Sequence, residues 1–308
     1  MRISTSQTWS NALYNLQMAQ ERQNTANTQV STQKVSTDLM GFGRSSEIIA
    51  AYQSSLSSTN GYIDVASTVS DRLTTQDLAL NTTAQSASDA KDTLMNALAS
   101  GNGTALMEGL QGNFTTALDG LNYQHNGQYL FSGGKTDTAP VGVSSLTQLG
   151  AAGSVASIFT NGTVKKSSQI DANTTIQTGM LATDLGTALM QTFQDIKQFN
   201  DTNVDGPFGT NLTDAQKAFL TTKSQEFSAT YDKLNEQTSL NGTMQNRVSN
   251  TQKSLQGQAD SLQGMVSART DADMAKAYSD LQQAQVAVQA SAQVLSTLNQ
   301  SSLLNILK

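Results

Sequence analysis

The residues with the most suggestive chemical spacing form an acidic loop in the second half of the chain. Asp201, Asn203 and Asp205 alternate with other residues and are followed by Gly206, as in positions 1, 3, 5 and 6 of a calcium-binding loop. Position 12 of such a loop is a bidentate Glu, whereas this chain has Leu212 there. Because that carboxylate is missing, the pattern favours an Asx-rich turn between two helices. We predict no metal site and keep these three residues as the weak alternative.

The other reactive residue types are too few for the common catalytic sites. The 308 residues include no cysteine and one histidine, His125. These numbers exclude thiol nucleophiles, cysteine-ligated metals and two-histidine metalloprotease motifs. Residues 41–44 and 132–135 contain glycines but are too short for a phosphate-binding loop. We therefore predict that the protein is not an enzyme and has no cofactor.

The charge and hydropathy of the chain limit its partners. The net charge is −6, from 18 basic and 24 acidic residues, and phosphate binding needs clustered Lys and Arg. We therefore predict no nucleic-acid partner. No run of 18 apolar residues occurs, so we also predict no membrane insertion. The first residues lack the apolar region of a secretory signal peptide, so export would use a route without one.

A long heptad pattern dominates the first half of the chain. Alternating steps of three and four from Ile49 to Leu98 reach mostly apolar residues over about seven heptads. Asn60-Gly61 would ordinarily indicate a hairpin turn. The pattern continues through that pair without a shift, which predicts one continuous helix.

A second heptad pattern follows in the C-terminal half. Residues 213–216 form a predicted capping box, in which Thr213 and Gln216 each accept a backbone hydrogen bond. The apolar seam after it runs from Leu220 to Val266 and blurs around Asn241-Gly242. A shorter helix over about 104–124 is expected to pack alongside.

Each end of the chain carries an apolar stripe in polar surroundings. Such helices cannot offset their ordering entropy alone, so we expect both to be poorly ordered in the monomer and to fold on assembly. The stripes could also be intramolecular core, but partner helices are at least as well supported. The predicted assembly interface comprises Trp9, Leu13, Leu16, Met274, Leu281, Val288, Leu295, Leu298, Leu303 and Leu304.

The middle of the chain has a different composition. Residues 136–182 are rich in Gly, Ser, Thr and Val, with alternating runs at 163–165 and 174–177, and Asn126-Gly127 predicts a hairpin just before them. The expected fold class is mainly α, a long antiparallel helical bundle or coiled coil built from both chain ends, with a small β-rich inserted domain. The predicted divisions are a terminal-helix segment 1–42, rod halves 43–135 and 183–269, the insertion 136–182 and a terminal helix 270–308.

Several motifs together resemble the bacterial flagellin family. Residues 1–7 (MRISTSQ) and 126–140 (NGQYLFSGGKTDTAP) are similar to motifs of its hook–filament junction members. Residues 242–247, 268–273 and 303–307 resemble stretches shared with flagellins. The order and spacing of these motifs make the match specific, although residues 31–44 depart from the family pattern.

The resemblance implies a structural subunit of the bacterial flagellum, outside the cell and exported unfolded by a type III route without a cleaved signal peptide. Its implied partners are copies of itself in a ring, the other hook–filament junction protein, flagellin and an export chaperone on the C-terminal helix. The implied function is that of an adaptor between the other junction protein and the filament. The alternatives are a flagellin that forms the filament itself, or an unrelated secreted coiled-coil binding protein.

Overall fold

The computed structural model describes the backbone of residues 2–306 and the side chains of residues 6–300. The helices are α1 (Arg2–Thr32), α2 (Ser46–Ser100), α3 (Leu106–Leu121), α4 (Leu146–Ala151), α5 (Ala182–Thr202), α6 (Asp214–Thr270) and α7 (Met274–Ile306). The strands are β1 (Gln124–His125), β2 (Gln128–Tyr129), β3 (Ser167–Asp171) and β4 (Thr174–Gln177). Long helices from the two chain ends pair, α1 with α7 and α2 with α6, which confirms the predicted fold class. Within residues 2–306, no helix combines the length and hydrophobicity of a membrane span.

The chain divides into two compact units. The first consists of Met1–Thr59 and Gly257–Lys308, and the second consists of Asn60–Gln256. The helices α2 and α6 each contribute residues to both units. The predicted helix through Asn60-Gly61 is confirmed, because α2 is continuous from Ser46 to Ser100.

The second unit is built around an aromatic core. Phe114 of α3, Phe193 of α5 and Phe227 of α6 are fully buried or nearly so. The Phe193 ring meets the other two edge-on, with centroid distances of 5.6 Å to Phe114 and 4.9 Å to Phe227. Leu80 and Leu94 on the predicted α2 seam join the same core. The predicted helix at 104–124 is confirmed as α3.

The blurred part of the C-terminal seam is a buried polar layer in the second unit. Asn241 takes one position of a seven-residue repeat and has no exposed surface. Its Nδ2 donates to the Leu73 carbonyl oxygen at 2.9 Å, and its Oδ1 accepts from Gln76 Nε2 at 3.1 Å. The buried repeat on α6 comprises Leu220, Phe227, Leu234, Asn241, Val248 and Leu255. A single polar residue within such an apolar repeat favours one register of the two helices.

Two local predictions in the second unit are confirmed. The Gln216 backbone N–H donates to Thr213 Oγ1 at 3.2 Å, and Gln216 Oε1 accepts from the Thr213 N–H at 3.0 Å, which is the capping box. Asn126 and Gly127 have positive φ angles of 51° and 75° and join β1 to β2. That geometry is the turn that matches the twist of a two-residue hairpin.

The inserted segment contains the predicted strand at 174–177 but not the one at 163–165. β4 pairs antiparallel with β3, which begins at Ser167. The prediction at 163–165 is wrong, because this stretch lies beside the turn at 132–134: the Gly162 N–H donates to the Ser132 carbonyl oxygen at 2.8 Å. The sequence also did not reveal α4, whose buried Leu149 belongs to the core of the second unit.

Candidate functional site

The terminal helices α1 and α7 form an antiparallel pair in the first unit. The Val35 N–H donates to the Thr270 carbonyl oxygen at 2.8 Å, and the Ala272 N–H donates to the Gln33 carbonyl oxygen at 2.9 Å. Lys34 also forms an ion pair with Asp271. These contacts hold the end of α1 beside the start of α7, so the two helices run in opposite directions.

The beginning of α7 is fixed by a side-chain cap. α6 ends at Thr270. Asp273 takes the capping position of α7, because its Oδ1 accepts from the backbone N–H groups of Ala275 and Lys276 at 3.0 and 3.1 Å. The hydrogen bond from Lys34, followed by the Lys34 charge, holds the pKa of the Asp271 carboxyl below its usual value.

The seam between α1 and α7 alternates alanines with larger side chains. On α1 the seam comprises Trp9, Ala12, Leu16, Ala19, Gln23, Ala26 and Val30. On α7 it comprises Met274, Ala277, Leu281, Ala284, Val288, Ser291, Leu295 and Leu298. All five alanines are buried, whereas the larger side chains are only half-buried. The pair therefore buries the alanine methyl groups and leaves part of each larger side chain exposed.

The first unit has much less apolar core than the second. The two clusters of packed, buried apolar side chains within residues 6–300 both lie in the second unit. Burial of apolar area is the main favourable term in folding, and a single pair of polar helices gains little of it. The arrangement of α1 and α7 is therefore suited to gaining stability from further helices.

Most of the residues predicted for the assembly interface lie on this intramolecular seam. Trp9, Leu16 and the α7 residues Met274, Leu281, Val288, Leu295 and Leu298 are half-buried there. Leu13 lies beside the seam with 48% of its surface exposed, and Ala12 occupies the seam position. The side chains of Leu303 and Leu304 lie outside the described residues.

Four further apolar side chains face solvent on these helices and were not among the residues predicted from the sequence. Tyr14 is 61% exposed, Tyr278 55%, Val286 64% and Val294 52%. They lie outside the heptad positions, so the heptad pattern does not include them. They could have been recognised as large apolar residues on the polar face of an amphipathic helix, which often indicate an interaction surface.

The acidic loop forms the Asx turn that the missing glutamate favoured. Asn203 Oδ1 accepts from the Asp205 backbone N–H at 3.0 Å. Lys197 forms an ion pair with the Asp201 carboxylate, and its hydrogen bond is the main reason that the pKa of Asp201 is lowered. Within the described residues, no group of three or more His, Asp or Glu side chains is placed to hold a metal ion.

Comparisons with known proteins agree with this architecture. Residues 225–307 match the family described as the bacterial flagellin C-terminal helical region. Among solved structures, the chain is similar to a Vibrio parahaemolyticus protein assigned as a flagellar hook-associated protein, with a TM-score of 0.59 and 13% identity over 73% of this chain and 97% of that one. It is also similar to Bacillus cereus FlgL, with a TM-score of 0.54 and 14% identity over 69% of this chain and 96% of that one. A search of curated protein sequences gave no match.

The family match covers α7, one of the two helices that carry the candidate interface. It begins within α6 and continues through the described part of α7. The two similar structures cover most of the chain and share its fold. The resemblance inferred from the sequence is therefore confirmed: residues 225–307 match the bacterial flagellin C-terminal helical region, and the chain shares its fold with these two solved structures.

Proposed function

We propose that this protein is a structural subunit of the bacterial flagellum, located outside the cell, that joins the other hook–filament junction protein to the flagellin filament. The main support for this proposal is the pair of terminal helices. Their seam contains buried alanines, and Leu13, Tyr14, Tyr278 and Val286 are exposed outside it. The flagellin match at 225–307 and the fold shared with hook-associated proteins support it.

Assembly would stabilise the terminal helices by burying their remaining apolar surface. Tyr14, Tyr278, Val286 and Val294 are each more than half exposed. Complete burial of a large apolar side chain contributes about 1.5–3 kcal/mol, so each of these residues could contribute roughly half of that amount. Part of this gain is offset by the ordering of side chains at the interface. Contacts with neighbours would therefore decide how well the two helices are ordered.

Copies of the chain would meet through non-identical surfaces. Such heterologous contacts build rings or helical arrays, depending on whether the rotation closes. An adaptor also meets two different proteins, which requires different surfaces towards each of them. The second unit has its own core around Phe193 and would keep its fold during assembly.

The same helices suit the proposed export route. An export chaperone would bind α7 before it pairs with α1, because the half-buried seam residues of α7 are then fully available. Covering this stripe would prevent premature association of copies. We therefore propose type III export in unfolded form.

The alternative is that the protein is a flagellin and forms the filament. The match of residues 225–307 supports this alternative, because the matched family is described as a region of flagellin. Both functions use the terminal helices in the same way. They differ in how far assembly proceeds and in what the protein binds.

Seeded assembly separates these possibilities. Purified protein is added to isolated hooks, with and without the other junction protein, and the hook ends are imaged by electron microscopy. The adaptor function predicts a short cap that forms only when the other junction protein is present. Long filaments would identify a flagellin, and no binding under any condition would refute the flagellar function.

A further inference from the structure

The second unit contains a small pocket lined by cationic side chains. The pocket has a volume of about 210 Å³ and is enclosed by α2, the β1–β2 hairpin and the residue that precedes β3. Arg72 of α2 and Lys166 line it together with Thr68, His125 and Tyr129. No acidic side chain lines the pocket.

The two cations lack a carboxylate partner. Arg72 Nη2 donates to the Leu130 carbonyl oxygen at 3.2 Å, and its Nε is buried without a partner. Among the described residues, no carboxylate lies within 4.0 Å of either cation, whereas the adjacent Lys165 pairs with Asp184 at 2.9 Å. The charge of the pocket is therefore not neutralised by the chain itself.

The two charges also destabilise each other. Burial lowers the pKa of Arg72 from its usual value. Burial, and then the charge of Arg72, lower the pKa of Lys166. An anion between the two side chains would reverse this repulsion, since an opposite charge favours the protonated form of both.

His125 shapes the pocket and contributes no free donor. Thr75 Oγ1 donates to the Asp71 carbonyl oxygen, so it accepts from His125 Nδ1, which lies 2.9 Å away. The other ring nitrogen, Nε2, lies 3.1 Å from the Asn126 side-chain amide. Both nitrogens have partners, so Arg72 and Lys166 remain the anchors for an anion.

We propose that Arg72 and Lys166 bind a carboxylate, which an acidic side chain of a second copy of this chain supplies. The chain has 24 acidic residues against 18 basic ones, so a neighbouring copy presents an excess of carboxylates. Arginine and lysine both form charge-assisted hydrogen bonds with a carboxylate. The inference rests on the proposed function, because it needs copies that assemble side by side.

The expected strength of the pair favours a carboxylate from a neighbour over a free one. A single charge-assisted hydrogen bond corresponds to a dissociation constant above about 1 mM. A small free carboxylate at low concentration would occupy such a site only in part. A carboxylate held in place by an assembled neighbour acts at an effective concentration of millimolar or more, so it occupies the site more fully.

The test compares Lys166→Gln with Lys165→Gln in seeded assembly on hooks that carry the other junction protein. The two substitutions remove the same charge from adjacent exposed positions, but only Lys166 lines the pocket. We expect growth from seeds to be about tenfold slower for Lys166→Gln, the effect of losing one charge-assisted pair, and unchanged for Lys165→Gln. Arg72→Gln should act in the same direction, provided that its thermal unfolding matches that of the wild type.

Two controls separate the possible failures. If the wild type does not assemble on any seed, the proposed function fails. If the wild type assembles and the two lysine variants grow equally fast, the carboxylate site is refuted while the proposed function stands. An acetate titration, followed by NMR of the Lys166 side chain, tests whether the bound carboxylate comes from a free molecule or from a second copy. Saturation at low millimolar acetate together with normal assembly of Lys166→Gln would show a site for a free carboxylate and would overturn the second copy as its source.

Discussion

The buried hydrogen bond between Asn241 and Gln76 should show strong energetic coupling between α2 and α6 in the second unit. Both side chains have no exposed surface, and Gln76 Nε2 donates to Asn241 Oδ1 at 3.1 Å. The informative substitutions are Asn241→Leu, Gln76→Leu and the double variant. Each single substitution leaves a buried polar group without its partner, whereas the double variant removes both groups.

The structure gives the size of each effect. Asn241→Leu orphans the amide of Gln76, whose Oε1 already lacks a partner, and an unsatisfied buried group costs about 1–3 kcal/mol. The Leu73 carbonyl oxygen still accepts from Gln245 Nε2 at 3.0 Å, so it adds no further cost. Gln76→Leu orphans only Asn241 Oδ1 and should cost about 1 kcal/mol. The double variant should be close to the wild type, which implies a coupling energy of about 2–4 kcal/mol.

Urea unfolding of the full chain, followed by far-ultraviolet circular dichroism, measures these free energies. The four proteins should show equal slopes against urea, so that their midpoints can be compared directly. Energetic coupling is refuted if the double variant loses as much unfolding free energy as the two single variants together, to within about 0.5 kcal/mol. Additivity would mean that the two side chains do not act as a pair and do not favour a register.

Four further outcomes follow from other parts of the structure. Phe193→Ala should lower the free energy of unfolding by about 3–5 kcal/mol, measured by urea unfolding, because this buried ring packs in the centre of the aromatic core. Thr213→Ala should cost about 1 kcal/mol in the same assay by removing the capping hydroxyl of α6. Burial alone would lower the pKa of Lys223, but hydrogen bonds to Asp195 and Glu226 raise it, so its stabilising contribution is complete below the unfolded pKa of 10.5 and is lost as the pH rises through the folded value. As the pH rises from 10.5 through the folded pKa, the stability of the wild type should therefore fall more steeply than that of Lys223→Met, and parallel curves would contradict this assignment. Ala19→Glu places a charge in the seam of the terminal helices and should reduce seeded assembly at least about tenfold, whereas Gln20→Glu at the exposed neighbouring position should not.

The long helices could be predicted because their apolar seams differ strongly in hydrophobicity from the polar residues around them. Every position from Ile49 to Leu98 in the predicted repeat is buried or half-buried in its unit. Asn241 blurred the second seam only because a polar residue occupies a core position, and its hydrogen bonds explain why the repeat continues through it. The capping box at 213–216 needed no tertiary information, since its partners are three residues apart.

The α1–α7 pair was harder to predict because alanine gives a weak hydrophobic signal. A stripe predicted from the largest side chains includes Leu13. In the structure, Ala12 is buried on the seam and Leu13 lies beside it. The cationic pocket could not be predicted at all. Arg72 and Lys166 lie 94 positions apart in the chain, and their proximity depends on the fold of the inserted segment.

The proposed function requires this chain to connect the hook end to the flagellin filament. The most direct measurement adds fluorescently labelled flagellin to isolated hooks that carry the other junction protein, with and without this chain, and records filament growth by microscopy. We expect flagellin to elongate only from hooks that have first bound this chain. Equal elongation in its absence, or long filaments made of this chain alone, would contradict the adaptor function.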